Sequence, residues 1–429
     1  MSGLYTNSIK TRILDPVFNK SNFRCEFRIP DGCYLSNFRL TDMGVSSTGS
    51  QGLYNFLVGS LIGVKNVFLY DGNVLIDALY DVPKIVSFKN LNTTNDANSS
   101  VNNYVRNNGL GFIGSGYITP NPASGIDAKD QIKLNNARQG LPQNIRLDDT
   151  TTDSSVVQLR RILPFLNASR YVPVSVYPKL RLVLEFNNSQ EMLDLVAGDT
   201  NGITSLNTIR PSLIVDEVID EAEKQAILAD YSGVNWKAIE NDRVNAVEIT
   251  GMTDGTPEKT QSNNWSVDGF TNKTLNNLIV AQVNTDTSVY VDGTEHNTFN
   301  TTNASRTLWK PKYQFRVNGM NKISRDGWEG KNRRLGHLVD TFGELNLPSV
   351  CNQTHLEDTA NTLGNTDLVG SVDYTGIFIG ERVKQLQVQV ERVGVYGNTD
   401  TSQALDIHLF GEVNKSIVVN GGSYNVIYS

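Results

Sequence analysis

The segment GLGFIG, residues 109–114, matches the G-x-G-x-x-G spacing of dinucleotide-binding sites. Such a site needs a strand before the glycines and a helix after them, so that the pyrophosphate meets a helix N-terminus. Here Asn107 and Asn108 precede the segment, and a Gly- and Pro-containing stretch follows it. We therefore predict a surface loop and no cofactor at this position.

Histidine and cysteine could hold a metal ion, but their spacing does not favour a site. The histidines are His296, His337, His355 and His408. Cys351 and His355 lie four residues apart, and no second pair completes a zinc site. His408 alternates with apolar neighbours, which predicts that it lies on the polar side of a strand. We expect surface or packing roles for all four histidines and no metal.

Four acidic residues form the densest cluster of carboxylates, and could indicate a metal site or acid–base catalysis. They are Asp216, Glu217, Asp220 and Glu221. The cluster opens the sequence DEVIDEAEKQAILADY, residues 216–231, which we predict to be a helix ending before Gly233. Negative charge at a helix start suits the helix dipole. No G-x-S-x-G nucleophile motif occurs, so we predict no catalytic residues and no enzyme.

Aromatic residues of the second half leave two alternatives open. Trp265, Trp309 and Trp328, with neighbouring tyrosines, could form the sugar-binding surface of a β-sandwich carbohydrate- or receptor-binding protein, although core packing is the commoner role of such residues. A β-sandwich hydrolase of polysaccharides is a further alternative. It would need two carboxylates about 5 to 10 Å apart in a cleft.

Composition narrows the possible partners. The chain has 429 residues and a net charge of −7, and its densest basic cluster, residues 331–334, is short. Phosphate-backbone binding needs a concentrated basic surface, so direct sequence-specific nucleic-acid binding is not expected.

No apolar run approaches the roughly 18 residues of a membrane span, and we expect no secretory signal. Three cysteines, Cys25, Cys33 and Cys351, fit a reduced compartment better than a disulfide framework.

Two similar units organise the chain. Residues 386–391 and 405–409 alternate apolar and polar side chains, the pattern of strands with one face on a core. Residues 180–185 and 211–218 form a comparable strand, link and strand in the first half. We therefore predict two domains, residues 1–234 and 235–429.

Shorter patterns fill in each domain. Alternation predicts strands at 23–27, 34–45, 61–70, 244–252, 275–284, 313–318 and 375–378, and short strands at 417–428. Apolar spacing from residue 74 to about 90 predicts a short or kinked helix, and a second helix is predicted at 332–342. Residues 1–20 are expected to form an arm or edge strand, and 109–153, 253–266 and 348–373 are expected to be loops. The predicted fold is all-β with a few short inserted helices: two tandem eight-stranded jelly-roll β-sandwiches.

Stretches across nearly the whole chain carry a family resemblance. They are IGVKNVFLYDGNVLID at 62–77, LIVDEV at 213–218 with its following helix, QFRVNG at 314–319 followed by RRLGHLVD at 333–340, and LFGEVNK at 409–415 with YNVIY at 424–428. In order and spacing they resemble the double jelly-roll major capsid proteins of polinton-like viruses and virophages, in the adenovirus-like and tectivirus-like lineage.

The resemblance implies a structural role in a virion. In that family, a homotrimer forms a pseudo-hexameric capsomer, and capsomers tile the icosahedral capsid of a dsDNA virus. Neighbouring capsomers and the minor capsid and penton proteins are the implied partners, with no transmembrane segment. The implied place is the virion capsid, after synthesis in the host cytoplasm or nucleus.

Overall fold

The computed structural model describes a subset of the chain in which antiparallel strands dominate. The described residues are 8–20, 24–41, 47–48, 52–55, 61, 63–86, 144–147, 156–187, 194–195, 205–206, 211–249, 260–284, 310–324, 327–329, 374–393, 403–420 and 423–428. The predicted loop at 348–373 and the predicted helix at 332–342 lie outside these residues.

The first half contains the strands β1 (Ile9–Leu14), β2 (Phe18–Lys20), β3 (Arg24–Arg28), β4 (Cys33–Leu35), β5 (Arg39–Thr41), β6 (Ser47–Thr48), β7 (Gly52–Asn55), β8 (Val64–Asp71), β9 (Val74–Leu79), β10 (Asn144–Leu147), β11 (Val157–Gln158), β12 (Tyr171–Pro173), β13 (Leu180–Phe186), β14 (Asp194–Leu195), β15 (Ser205–Leu206) and β16 (Ser212–Val218). Its helices are a 3₁₀ turn (Leu159–Arg161), α1 (Phe165–Ala168) and α2 (Glu221–Asp230), with a further helical turn at residues 82–86.

Two main sheets enclose the core of the first half. One has the order β11-β5-β16-β4-β12, with β1 paired to β16, and the other has the order β2-β3-β13-β8-β9. Smaller sheets pair β10-β7-β14 and β15-β6. On β13, Leu182 and Leu184 are fully buried, and Leu182 lies between Phe27 of β3 and Leu69 of β8 in the pairing register. The strand predicted from alternation at 180–185 is therefore confirmed.

A tight hairpin joins β8 to β9 and corrects one prediction. The chain reverses at Gly72, whose φ of +57° suits glycine, and residues 74–79 then pair with β8. The helical spacing seen from residue 74 is therefore wrong for its first part, and among the described residues of this segment only 82–86 are helical. Because both faces of β9 are covered from Ile76 to Leu79, its apolar residues show no clean two-residue period.

The acidic segment also folds differently from the prediction. Asp216 and Glu217 belong to strand β16, which pairs with β1, and α2 begins only at Glu221. Asp220 caps this helix, since its side chain accepts a hydrogen bond from the backbone N–H of Ala222 at 2.9 Å. Pairing with the N-terminal strand outweighs the helix propensity of residues 216–219.

The second half contains the strands β17 (Gly233–Ile249), β18 (Thr260–Val267), β19 (Thr274–Asn284), β20 (Lys310–Val317), β21 (Met320–Asn321), β22 (Trp328–Glu329), β23 (Tyr374–Arg382), β24 (Leu386–Val393), β25 (Gln403–Asn420) and β26 (Ser423–Tyr428). One sheet has the order β17-β25-β19-β23, with β26 paired to β25. The other has the order β18-β24-β20-β21, with β22 paired to β20. Every sheet in the described part of the chain takes its strands from one half.

Strand predictions in the second half are largely confirmed, with two corrections. The strands expected at 275–284, 313–318 and 386–391 are present, and the short strands expected at 417–428 are the end of β25 and β26, which pair with each other. The first strand of this half begins at Gly233 and not at residue 244. Residues 260–267 form β18, although most of them belong to the loop predicted at 253–266. The polar residues of β18 give no apolar pattern, but its main chain pairs with β24 along its whole length.

Candidate functional site

The two halves meet where strand β9 forms the edge of its sheet. Strand β17 of the second half lies beside β9 without joining its sheet. Phe165 of α1 packs edge-on against Trp236 of β17, with 5.2 Å between ring centroids. Buried side chains of both halves belong to one continuous core. The residues at this contact, here called the junction, form the candidate functional site.

Asp77 is a fully buried carboxylate in the junction. Its two oxygens accept hydrogen bonds from the backbone N–H groups of Phe165, at 2.8 Å, and Ala78, at 3.1 Å. Burial raises the pKa of Asp77 to about 6, although these hydrogen bonds, the Lys415 ammonium and the Trp236 indole oppose the rise. The indole nitrogen itself is buried without a hydrogen bond of normal geometry. Asp77 thus joins α1 to β9 while facing groups of the second half.

Lys415 supplies the opposite charge from β25 and is 4% exposed. Its ammonium lies 5.7 Å from the ring centroid of Trp236 and 5.0 Å from that of Tyr428. Burial lowers the pKa of Lys415, while the carboxylates of Asp77 and Glu240 act in the opposite direction. Aromatic faces and carboxylates therefore replace the water that this cation loses on burial.

Tyrosines make further polar contacts at the junction. The hydroxyls of Tyr177 and Tyr231 lie 2.8 Å apart, and the ring of Tyr177 packs against that of Tyr424 with 5.1 Å between centroids. Tyr424 in turn donates a hydrogen bond to Asp71 Oδ2 at 2.7 Å. The last strand of the chain is thereby attached to the first half.

His408 lies on the side of β25 that the alternation predicts to be polar, and this side is buried in the junction. It is 2% exposed, and its Nδ1 lies 3.5 Å from Asp81 Oδ2. Burial lowers the pKa of His408, although Asp81 acts in the opposite direction. Burial acts to raise the pKa of Asp81, but the neighbouring His408 and the charge of Lys84 outweigh it and hold this pKa well below its usual range.

The junction is suited to holding two domains together. Charged groups of the two halves face each other there, as Asp77 faces Lys415 and Asp81 faces His408, and aromatic rings pack beside them. Among the residues that the structure describes, no group of three or more His, Cys, Asp or Glu side chains could hold a metal ion. The helices in the same residues include none that is long and apolar enough to cross a membrane.

Comparison with known proteins identifies the fold. No protein-family model and no curated protein sequence matches the chain. The mavirus major capsid protein matches with a TM-score of 0.55 and 10% identity, over 100% of this chain and 91% of that one. The Sputnik virophage structure matches with a TM-score of 0.55 and 9% identity, over 100% and 90%. The PBCV-1 virus capsid structure matches with a TM-score of 0.55 and 12% identity, over 100% of this chain and 98% of that one.

The chain has the double jelly-roll fold of viral major capsid proteins. Matches over 90% or more of the solved chains include both halves, so the junction lies between the two jelly rolls. The all-β prediction, with two tandem jelly rolls, is confirmed.

The acidic cluster holds the N-terminal strand onto the first jelly roll. Asp216 accepts hydrogen bonds from Thr11 at 2.7 Å, Asn37 at 2.7 Å and Arg39 at 2.8 Å. Arg12 and Glu217 form an ion pair at 2.5 Å. The sequence indicated these carboxylates but not their partners, because the basic residues lie about 180 to 200 positions away.

Other residues singled out in the sequence have packing roles or lie outside the described residues. Cys25 and Cys33 are buried and free, and burial raises their pKa values to about 12 and about 11. Trp265 is half-buried and packs against the core. Residues 109–114, Trp309, His296, His337, His355 and Cys351, and the side chain of Trp328, lie outside the described set.

Apolar side chains are exposed at two sheet edges. In the described part of the chain β1 pairs only with β16, and β23 pairs only with β19. Ile13 on β1 is 67% exposed and Phe378 on β23 is 62% exposed. The edge strand expected within residues 1–20 is thus confirmed as β1. Exposed apolar residues on unpaired edges are candidates for contact with other chains.

Proposed function

We propose that this chain is a structural major capsid protein, whose homotrimer forms a pseudo-hexameric capsomer in the icosahedral shell of a dsDNA virus. The double jelly-roll fold supports this role, as does a match that spans 100% of this chain and 90–91% of the mavirus and Sputnik proteins. The proposed role is that of a building block, without catalysis.

The junction is the observation that carries the proposal. A buried carboxylate, a buried ammonium and a set of packed rings join the two jelly rolls, and both contribute to one continuous core. One chain therefore supplies two lobes held together, and three chains supply six. Six similar lobes can pack hexagonally while the assembly needs only threefold symmetry.

The proposal also implies the binding partners of this chain and its location. The partners are two further copies in the trimer, neighbouring capsomers, and minor capsid and penton proteins, and the place is the virion. The exposed side chains of Ile13 and Phe378 provide apolar surface that such contacts would cover. We place the division into jelly rolls at residues 1–234 and 235–429, two residues into β17, and sheets of the described residues that do not mix strands of the two halves support it.

Negative-stain electron microscopy of the purified full-length protein tests this function. The expected class averages show flat particles with a hexagonal, six-lobed outline and threefold symmetry. Particles with only two lobes at the same protein concentration, and at physiological salt, would contradict the capsomer proposal. They would leave the double jelly-roll fold intact.

A further inference from the structure

His408 is the one histidine among the described residues, and it faces a carboxylate of the other jelly roll. It lies on β25, and its neighbour Phe410 stacks on it with 6.3 Å between ring centroids. Asp81 lies two residues after the end of β9, and its backbone N–H donates a hydrogen bond to Asn66 Oδ1 at 3.2 Å. A group that changes charge near neutral pH is therefore enclosed between the two domains.

Basic groups compete for the same carboxylate. Lys84 Nζ lies 3.7 Å from Asp81 Oδ1. The charge of Lys65 on β8 also lowers the pKa of Asp81. From the second jelly roll, Arg243 of β17 lies opposite His408 in the strand register. Protonation of His408 would thus add a further positive charge beside a carboxylate that already has cationic neighbours.

A proton on the enclosed histidine is costly. At 2% exposure the imidazolium would lose nearly all contact with water, and Asp81 offers it a single long contact of 3.5 Å. A neutral imidazole, by contrast, packs against Phe410 without this penalty. The protonated form therefore favours any conformation in which His408 reaches solvent.

We propose that the junction is an acid-sensitive contact, in which protonation of His408 releases the segment around Asp81 from strand β25. Each jelly roll keeps its own fold during this release. The inference concerns a single chain and does not depend on the proposed capsid function. It would give the two lobes a looser connection in mildly acidic solution than at neutral pH.

Asp77 titrates at the same junction with the opposite effect. Its neutral form suits burial, so acid removes a buried charge there and leaves Lys415 facing Glu240. The experiment must separate the two groups, and substitution at His408 does so because Asp77 remains unchanged.

Hydrogen exchange measured by mass spectrometry on the full-length protein provides the test. Exchange is followed at pH 7.5 and pH 5.5, with times scaled for the intrinsic rate, in peptides covering residues 74–86 and 403–410. Since an exposed histidine has a pKa of about 6.5, we expect the His408 contribution, measured as the difference between the wild type and a variant without this histidine, to favour opening at pH 5.5 roughly tenfold over opening at pH 7.5. Peptides from β13, in the interior of the first jelly roll, should keep their protection.

Two variants assign the effect to the histidine. H408Q keeps a neutral polar side chain and should lose the acid response. D81N removes the carboxylate that favours the charged imidazole, so its acid response should exceed that of the wild type. Asparagine suits this position because Asp81 has a φ of +49°.

Three results would overturn the proposal. They are unchanged protection in the wild type at pH 5.5, an equal loss of protection in H408Q, and a weaker acid response in D81N. Because D81N leaves the histidine in place, its result stands even if H408Q folds poorly.

Discussion

The hydroxyl of Tyr424 donates a hydrogen bond to Asp71 Oδ2 at 2.7 Å, which joins the last strand of the chain to the first jelly roll across 353 positions. Asp71 Oδ1 also accepts a hydrogen bond from the backbone N–H of Lys179 at 2.7 Å. The carboxylate therefore connects the β8–β9 hairpin, the start of β13 and the C-terminal strand.

Removing this hydroxyl should weaken the attachment of β26. We expect Y424F to lower the free energy of unfolding by about 1–2 kcal/mol, because it leaves Asp71 without one charge-assisted hydrogen bond. Urea unfolding at pH 7 checks this value. Y80F is the matched control, since Tyr80 is 39% exposed and its phenol makes no hydrogen bond in the described part of the chain. Equal midpoints for Y424F and the wild type would contradict the role of the bond.

The buried carboxylate of Asp77 should make stability fall as the pH rises. Burial raises its folded-state pKa from 3.8 to about 6, so the folded chain holds this proton more tightly than the unfolded chain. The stabilisation is fully present below pH 3.8 and is lost as the pH rises through 6. A difference of about two pKa units corresponds to on the order of 3 kcal/mol.

Substitution isolates this contribution. Because an asparagine side chain does not titrate, D77N should remove that part of the pH dependence between about pH 4 and about pH 7. Urea unfolding at several pH values measures it. D230N, an exposed residue at the end of α2, is the matched control. A D77N curve with the same pH dependence as the wild type would show that Asp77 is not the group responsible.

The core position of Leu386 can be tested against its neighbour. Leu386 on β24 is 1% exposed and pairs with Val267 and Val317. We expect L386D to give no soluble folded protein, because it buries an unpaired charge. L386A should cost about 2–5 kcal/mol. Q387D, on the opposite face of the same strand, should fold with a wild-type circular dichroism spectrum. Soluble, folded L386D would contradict the assigned core.

Gly233 is required by a close backbone approach at the start of β17. Its φ is +128°, and a Cβ there would lie 2.0 Å from the carbonyl oxygen of Ile417. Gly319 also has a positive φ, +85°, but a Cβ there would meet no atom within 4 Å. We expect G319A to cost about 1–2 kcal/mol from backbone conformation alone, and G233A to cost clearly more. Similar thermal unfolding of the two variants would contradict the close approach.

Strands with one covered face can be predicted from the sequence. Leu386, Val388 and Val390 on β24 alternate with Gln387 and Gln389, because one side of the strand faces the core and the other is partly exposed to water. The turn at residues 71–73 is likewise indicated by its residue types. Such features depend on neighbours in sequence, so a single chain is enough to find them.

The junction cannot be predicted in the same way. His408 alternates with buried Ile407 and Leu409, which correctly places it on the other face of β25. Nothing in the local pattern says that the first jelly roll covers this second face. Asp81, its partner, lies more than 300 positions earlier, so the contact exists only in the folded chain. The role of Asp77 escapes sequence analysis for the same reason, within a segment whose apolar spacing wrongly predicts a helix.

The solution mass of the purified full-length protein, measured by light scattering after size exclusion at neutral pH, tests the central claim most directly. Three chains of 47.4 kDa would give a particle of about 142 kDa, which is the result that a trimeric capsomer predicts. A single species at 47.4 kDa across a range of protein concentrations would contradict assembly as a capsid subunit.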